Sequence, residues 1–351
     1  MAIDEARLNE FLQKIIGDMG AAASGALVLI GDRLGLYKAL AETGPLTSAQ
    51  LAGQTGTSER YVREWLSAQA ASGYVDYDPS TATFAMTPEQ AAVFADSDSP
   101  CFMSGGYESV ASLYKDEPTL TDAFRSGRGV GWHEHSACLF RGTERFFAPA
   151  YRAFLTGSWL PALDGVLEKL QRGAKVADVG CGHGVSTLLM ARAFPQSTFL
   201  GFDYHDGSIA RARQHATESG LSNVEFQVSD ARNFPGEAYD LVTCFDCLHD
   251  IGDPVGAARR VRETLAEDGT WMIVEPLAGD RLEDNLHPVG RLYYSFSTMV
   301  CTPASLSQDV GLGLGAQAGE ARLRSVALSG GFTRFRTATT TPSNMVLEAR
   351  P

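Results

Sequence analysis

Residues 175–184, Lys-Val-Ala-Asp-Val-Gly-Cys-Gly-His-Gly, limit what this chain can fold into more than any other stretch. Val176, Ala177 and Val179 close a short apolar run, and three glycines follow within five residues. From Val185 the spacing becomes helical, with Leu188, Leu189 and Ala193 on one face. A buried strand that turns through glycines into a helix brings bare backbone and a helix N-terminus up to a ligand. Asp178 lies inside that strand, where an unpaired carboxylate is costly, so the pattern predicts a partner for it. The spacing also narrows the ligand. A dinucleotide fingerprint needs a third glycine three residues after the second, and Val185 stands there. No Gly-Lys-Ser/Thr follows, which excludes a phosphate-gripping loop.

Downstream, short apolar runs repeatedly end in an acid. Residues 197–203 form a predicted strand closed by Asp203, 21 residues after Gly182. A carboxylate there can accept both hydroxyls of an adenosine ribose, in NAD enzymes as in others. Residues 223–231 give a third strand closed by Asp230 and Ala231, and residues 239–245 a fourth, followed by Asp246, His249 and Asp250. A helix through Ala257, Val261 and Leu265 then leads to a fifth strand at 271–276. Two last strands are expected around Phe332 and at 344–348. A short turn joins them, so the last should run antiparallel. Residues 277–325 are too long for a tight turn and hold an aromatic cluster, Arg291, Tyr293, Tyr294, Phe296 and Met299, so they are read as a roof over an acceptor pocket.

The [DE]-x-G-x-G-x-G turn resembles the first motif of class I S-adenosylmethionine-dependent methyltransferases, and the order of strands and acids is similar over residues 150–351. The resemblance implies a Rossmann-like α/β fold: a seven-stranded doubly wound sheet with the last strand antiparallel. It implies S-adenosyl-L-methionine as cofactor and S-adenosyl-L-homocysteine as product. Asp178, Gly180, Cys181, Gly182, Gly184, Asp203, Tyr204, Asp230, Ala231, Phe245 and Asp246 become the expected cofactor contacts, with the Asp230–Ala231 pair at the adenine. Leu248-His249-Asp250 resembles the segment in which small-molecule O-methyltransferases place a catalytic histidine, with Asp250 to orient it; Ile251 replaces the tryptophan usual there. An imidazole can take the proton of a hydroxyl nucleophile at neutral pH.

The N-terminal half reads differently. Helical spacing covers residues 4–20 and about 22–41. Thr47 with Gln50 forms a capping box, a helix starts at Ser58, and Gly73 ends it. Residues 74–77 and 83–86 form a hairpin around Asp78-Pro79-Ser80. Helix, turn, helix and two-stranded wing make a winged helix-turn-helix, which gives an N-terminal α-helical domain over 1–95. Between Gly25 and Ala95 there are four basic and seven acidic residues, against the cationic excess that groove reading needs. Nucleic acid is therefore an improbable partner. This half is similar to the N-terminal domain of small-molecule O-methyltransferases, which implies a homodimer. Over nearly its full length the chain is similar to actinobacterial winged-helix methyltransferases. Residues 96–145 are read as a linker and lid with short helices, ahead of the catalytic domain at 146–351. Trp132, His133 and His135 are its candidate pocket residues, joined by Arg291 and Tyr294 of the roof.

A net charge of −13 repels nucleic acid and anionic membrane at long range. No uninterrupted apolar run nears the ~18 residues of a membrane span, and the first residues lack a signal-peptide layout. The six cysteines are too scattered for a disulfide framework, so a cytoplasmic protein is expected. Cys244-Phe-Asp-Cys247 has no second ligand pair, and no metal site is read. The expected function is methylation of a small, largely apolar molecule, most simply at oxygen. The rivals are a winged-helix regulator that uses the fold as a cofactor sensor, and a nicotinamide oxidoreductase.

Overall fold

A computed structural model describes residues 3–351. The chain forms two compact units, Met1–Ser112 with Ala137–Pro149, and Leu113–Ser136 with Ala150–Pro351.

In the first unit one helix, Glu5–Arg33, replaces the two that the periodicity predicts. The Gly20-Ala-Ala-Ala stretch does not break it, because alanine is the strongest helix former. The break falls at Gly35, whose φ of 67° is left-handed, and Leu36–Thr43 follows. Thr47 caps Ser48–Thr55 through the expected capping box with Gln50. That helix runs through Gly53 and ends at Gly56, φ 64°. Helix Glu59–Ala71 and the hairpin of β1 (Asp76–Asp78) and β2 (Thr83–Ala85) complete a winged helix-turn-helix. Its core packs Tyr37, Leu40, Trp65, Leu66, Phe84 and Phe94, each such burial being worth roughly 1.5–3 kcal/mol. Buried Glu108 joins Arg141 at 2.9 Å and Arg145 at 3.5 Å, and Arg145 reaches Asp32 at 2.8 Å. Residues 96–145 are not a string of short helices. They hold the 23-residue helix Ser104–Ser126 and most of Ala137–Phe154.

Helix Glu5–Arg33 is long and apolar enough to cross a membrane by length and composition, a property that counting uninterrupted apolar runs passes over. Leu8, Phe11, Leu12, Ile15, Ile16 and Met19 are exposed along it, beside the Lys14–Asp18 ion pair.

The second unit is built on a seven-stranded sheet. Its strands are β3 (Lys175–Val179), β4 (Thr198–Asp203), β5 (Val224–Val228), β6 (Tyr239–Phe245), β7 (Leu265–Pro276), β8 (Arg334–Thr340) and β9 (Asn344–Arg350). They lie in the order β5-β4-β3-β6-β7-β9-β8. All pairs from β5 to β7 are parallel, and β9 is antiparallel both to β7 and to β8, the short β8–β9 turn requiring the second of these. Phe202, Phe234, Tyr239, Trp271, Ile273 and Leu347 fill the core around the central strands. Strand order reverses between β3 and β6, and ligands of open α/β sheets bind where that reversal meets the strands' C-terminal ends. The roof at 277–325 holds a 3₁₀ turn, Leu282–Asn285, the helices Pro288–Phe296 and Thr302–Leu306 joined by a π-turn at Ser297–Cys301, and the start of the helix Gly319–Ser329.

Candidate active site

The glycine turn leaves β3 at the reversal point. Gly180, Gly182 and Gly184 all have left-handed φ, at 74°, 52° and 79°, so a side chain at any of them is strained. Their surroundings differ. A Cβ on Gly180 would strike Cys247 Sγ at 2.5 Å, and one on Gly184 would strike Phe226 at 2.6 Å, whereas one on Gly182 would meet nothing within 4 Å. The first and third glycines permit packing, and the middle one leaves open room against bare backbone. Helix Val185–Ala193 begins at Gly184 with no side-chain cap, so its first N–H groups are not taken by one. Backbone N–H groups of Gly180 and Cys181 donate to the Phe202 carbonyl at 2.7 and 3.0 Å, tying the turn to β4.

Asp178 has the partners its burial demands. Ser186 and Thr187 hydroxyls donate to it at 2.8 and 2.6 Å, and Thr243 donates at 2.9 Å. Burial raises its pKa to about 6 against the pull of those hydroxyls. Asp203 stands at the end of β4 and accepts the N–H groups of Gly182 and His205, each at 2.9 Å. Burial raises its pKa too, with the same N–H groups opposing. Tyr204 is exposed beside it. Asp230 lies two residues beyond β5, next to half-buried Ala231, and its carboxylate holds the Arg232 guanidinium at 3.3 Å.

At the end of β6, Phe245 packs against Tyr151 and Trp159. Asp246 follows with φ 50°, a left-handed conformation that Asp tolerates better than most residues. Tyr151 Oη and Asn344 Nδ2 donate to its two carboxylate oxygens at 2.9 and 2.8 Å. Burial and the charge of Glu275 push Asp246 up to about 7. His249 and Asp250 occupy a 3₁₀ turn, Leu248–Asp250. His249 Nδ1–H donates to Glu275 Oε2, because a carboxylate can only accept, and Glu275 Oε1 accepts the Leu248 N–H at 2.9 Å. His249 Nε2 lies 3.3 Å from Asp250 Oδ1. Burial works to lower the imidazole's pKa, but Glu275 and Asp250 overcome it and hold the ring well above its ordinary value.

Glu275, Cys301 and Asn344 join the site without having been expected there from the sequence. The signal for Glu275 was present, an acid at a strand's C-terminal end like Asp203; the others come from segments with no motif.

The candidate pocket residues fall in different places. His133 and Arg291 are exposed, and Trp132 and Tyr294 are half-buried. His135 is buried: its Nδ1 meets Asp116 Oδ2 at 3.0 Å, and its Nε2 has no hydrogen-bond partner. Their segment is anchored to the sheet unit. Val130 N–H donates to the Pro303 carbonyl at 3.0 Å, and the Trp132 N–H reaches the Tyr204 hydroxyl. Gly129 is required there, since a Cβ would lie 2.0 Å from Ser307 N.

The sheet order and the glycine turn together define a Rossmann-like, doubly wound architecture. Residues 170–313 match the methyltransferase-domain family, and residues 22–96 match the Rv2258c-like winged helix-turn-helix domain. The chain thus carries a methyltransferase domain behind a winged helix-turn-helix domain. It is 32% identical over 123 residues to a ubiquinone biosynthesis O-methyltransferase of Leptothrix cholodnii, covering 34% of this chain and 49% of that one. It is 34% identical over 108 residues to the aklanonic acid methyltransferase DauC of a Streptomyces species, covering 30% and 49%. The chain therefore spans about half the length of these relatives. Among solved structures, mitomycin 7-O-methyltransferase MmcR superposes with a TM-score of 0.70 at 20% identity, covering 99% of this chain and 100% of that one. Human N-acetylserotonin methyltransferase, solved with SAM, gives 0.69 at 20% identity, covering 99% and 98%. At that identity the likeness speaks for the fold.

Proposed function

We propose that this chain is an S-adenosylmethionine-dependent methyltransferase acting on a hydroxyl of a small, largely apolar molecule. The observation that carries the reading is His249, fixed through Nδ1 on Glu275, on the turn that follows β6 and faces the reversal point of the sheet. The cofactor's fit is supported by the open room over Gly182, the uncapped start of helix Val185–Ala193 and the carboxylate of Asp203. When bound, the cofactor supplies a methyl group already activated by a positive sulfonium.

Asp203 would take the ribose hydroxyls on its remaining lone pairs, and Ala231 would line the adenine beside Asp230. His249 Nε2 takes the acceptor's hydroxyl proton as the oxygen attacks. Glu275 is a positioning residue: it fixes the tautomer and stabilises the imidazolium that forms. Tyr293, buried in the roof and within electrostatic reach of His249, supports an aromatic acceptor wall. The relatives' names, with mitomycin, N-acetylserotonin and aklanonic acid among them, point to the same substrate class.

The regulator alternative draws no support from the helix that would enter a DNA groove. Its cations are taken internally, Arg60 by Glu64 at 2.5 Å and Arg63 by Glu59 at 2.6 Å. We also infer a homodimer through the exposed apolar face of Glu5–Arg33, whose interleaved charges suit a second protein copy better than lipid.

Methyl transfer and S-adenosylhomocysteine binding test the reading together. His249→Ala and His249→Gln should lower kcat about 10²–10⁴-fold while calorimetric S-adenosylhomocysteine affinity stays within about twofold. In the wild type, activity should rise with pH as His249 loses its proton. Glu275→Gln removes a charge that raises the imidazole's pKa, so this rise should move to lower pH. Unchanged turnover and an unchanged profile in the His249 variants would remove the base assignment. Absence of S-adenosylhomocysteine binding would remove the whole reading.

A further inference from the structure

His249, Asp250 and Cys301 bring three different donor atoms, an imidazole nitrogen, a carboxylate oxygen and a thiol sulfur, within 4.8 Å of one another. Chain connectivity does not force this, because Cys301 comes from the π-turn of the roof and the other two from the turn after β6. Three further observations bear on what the cluster can hold. His249 Nδ1 is committed to Glu275, which leaves Nε2 as the ring's outward donor; a ligating histidine is fixed in this way by a second carboxylate. Asp250 Oδ1 is buried and makes no well-aligned hydrogen bond; it pairs with the His249 ring, and the Cys301 thiol bonds the same carboxylate, so the three donors already face one another. Nε2 and Oδ1 stand 3.3 Å apart, the span of two donors each about 2.0 Å from a tetrahedral ion.

The frame around the donors is braced. Gln308 Nε2 donates to the carbonyls of Asp250 and Ala304, both at 2.9 Å, and Ser305 Oγ donates to the Ile251 carbonyl at 3.0 Å. These bonds clamp the 3₁₀ turn to helix Thr302–Leu306. Asp246 and Glu275 add further acidic groups around His249, so a cation entering here meets a compensating field.

We propose that His249 Nε2, Asp250 Oδ1 and Cys301 Sγ form a binding site for a thiophilic divalent cation, with Zn²⁺ as the reference ion. A nitrogen–oxygen–sulfur set suits Zn²⁺ or Co²⁺ and disfavours Mg²⁺ and Ca²⁺, which take oxygen. Binding forms one bond to each donor and releases the Cys301 thiol proton, with any proton on Nε2, to solvent. A fourth position remains for water. Occupation removes the Nε2 lone pair from proton transfer, so the ion is an inhibitor; this last step alone rests on the methyltransferase reading.

The test titrates ZnCl₂ into purified full-length protein, without cofactor, by calorimetry in two buffers of different ionisation enthalpy, and repeats it with CoCl₂ by absorption. One equivalent should bind with proton release, and the cobalt form should show a thiolate-to-metal charge-transfer band. Cys301→Ser should abolish the band and weaken zinc binding about 10–100-fold or more, and Glu275→Gln should weaken it about 10–100-fold. Cys101→Ser, which removes an exposed thiol, should change nothing. Lack of one-equivalent binding, a cobalt complex without the band, or zinc affinity that survives Cys301→Ser overturns the site. If Cys301→Ser does not fold, the wild-type band decides the matter. Zinc should also inhibit methyl transfer, with recovery on adding EDTA. Binding without inhibition overturns the inhibitory step alone, whereas methyl transfer missing from the metal-free protein sinks the earlier reading and leaves the site standing.

Discussion

Asp246 and Asp178 are buried carboxylates whose pKa values in the fold, about 7 and about 6, lie above the ordinary 3.8. A raised carboxylate favours the fold when protonated, so its contribution is complete below pH 4 and is lost as pH rises through the folded value. Stability from these two groups should fall between about pH 4 and 7. Asp246→Asn should flatten that slope, measured as a smaller drop in Tm between pH 5.5 and 8 than in wild type. A wild-type slope retained in the variant would show that Asp246 does not set it. Sequence reading reached these residues unevenly. Asp178 announced itself as an acid inside an apolar run, which requires donors, and three hydroxyls supply them. Glu275 closes an apolar run as Asp203 does, but its partner could not be named from the sequence, and Cys301 carried no mark at all, because their roles exist only where β7 and the roof reach His249.

The glycine turn is the element that local chemistry specifies most completely. Apolar run, three glycines and helical spacing each permit one structure, and β3, the left-handed turn and helix Val185–Ala193 follow. The glycines nevertheless do different jobs, which a substitution pair can separate. Gly182→Ala meets no atom, so it should cost only the left-handed strain of about 1–2 kcal/mol, yet reduce S-adenosylhomocysteine affinity about tenfold or more by filling the cradle. Gly184→Ala drives a methyl into Phe226 and Ala212 and should lower Tm by more than Gly182→Ala does. Thermal melts and calorimetry on both variants check the contrast. Helices 104–126 and 137–154 were poorly legible for a physical reason. Gly105, Gly106, Pro118, Gly142 and Pro149 interrupt any propensity argument, and tertiary contact overrides them: Cβ atoms on Gly105 and Gly142 would strike Arg145 and Ser109.

For the whole molecule, the apolar face of Glu5–Arg33 leads to a test of assembly. Phe11→Glu with Ile15→Glu should shift the particle from dimer to monomer by light scattering, leaving the second unit's S-adenosylhomocysteine affinity within about twofold. A wild type that is already monomeric would remove the homodimer. The sequence alone determined the strand–turn–helix at 175–193, the places of the parallel strands along the chain and the winged helix, because each rests on near-neighbour periodicity, capping and backbone permission, while the seven-stranded sheet was what the family resemblance implied. Tertiary structure decided that Glu275 orients His249, that Tyr151 and Asn344 hold Asp246, and that Cys301 stands beside Asp250. Those pairings join residues 26 to 98 positions apart, and only the packed sheet and its roof bring them within reach.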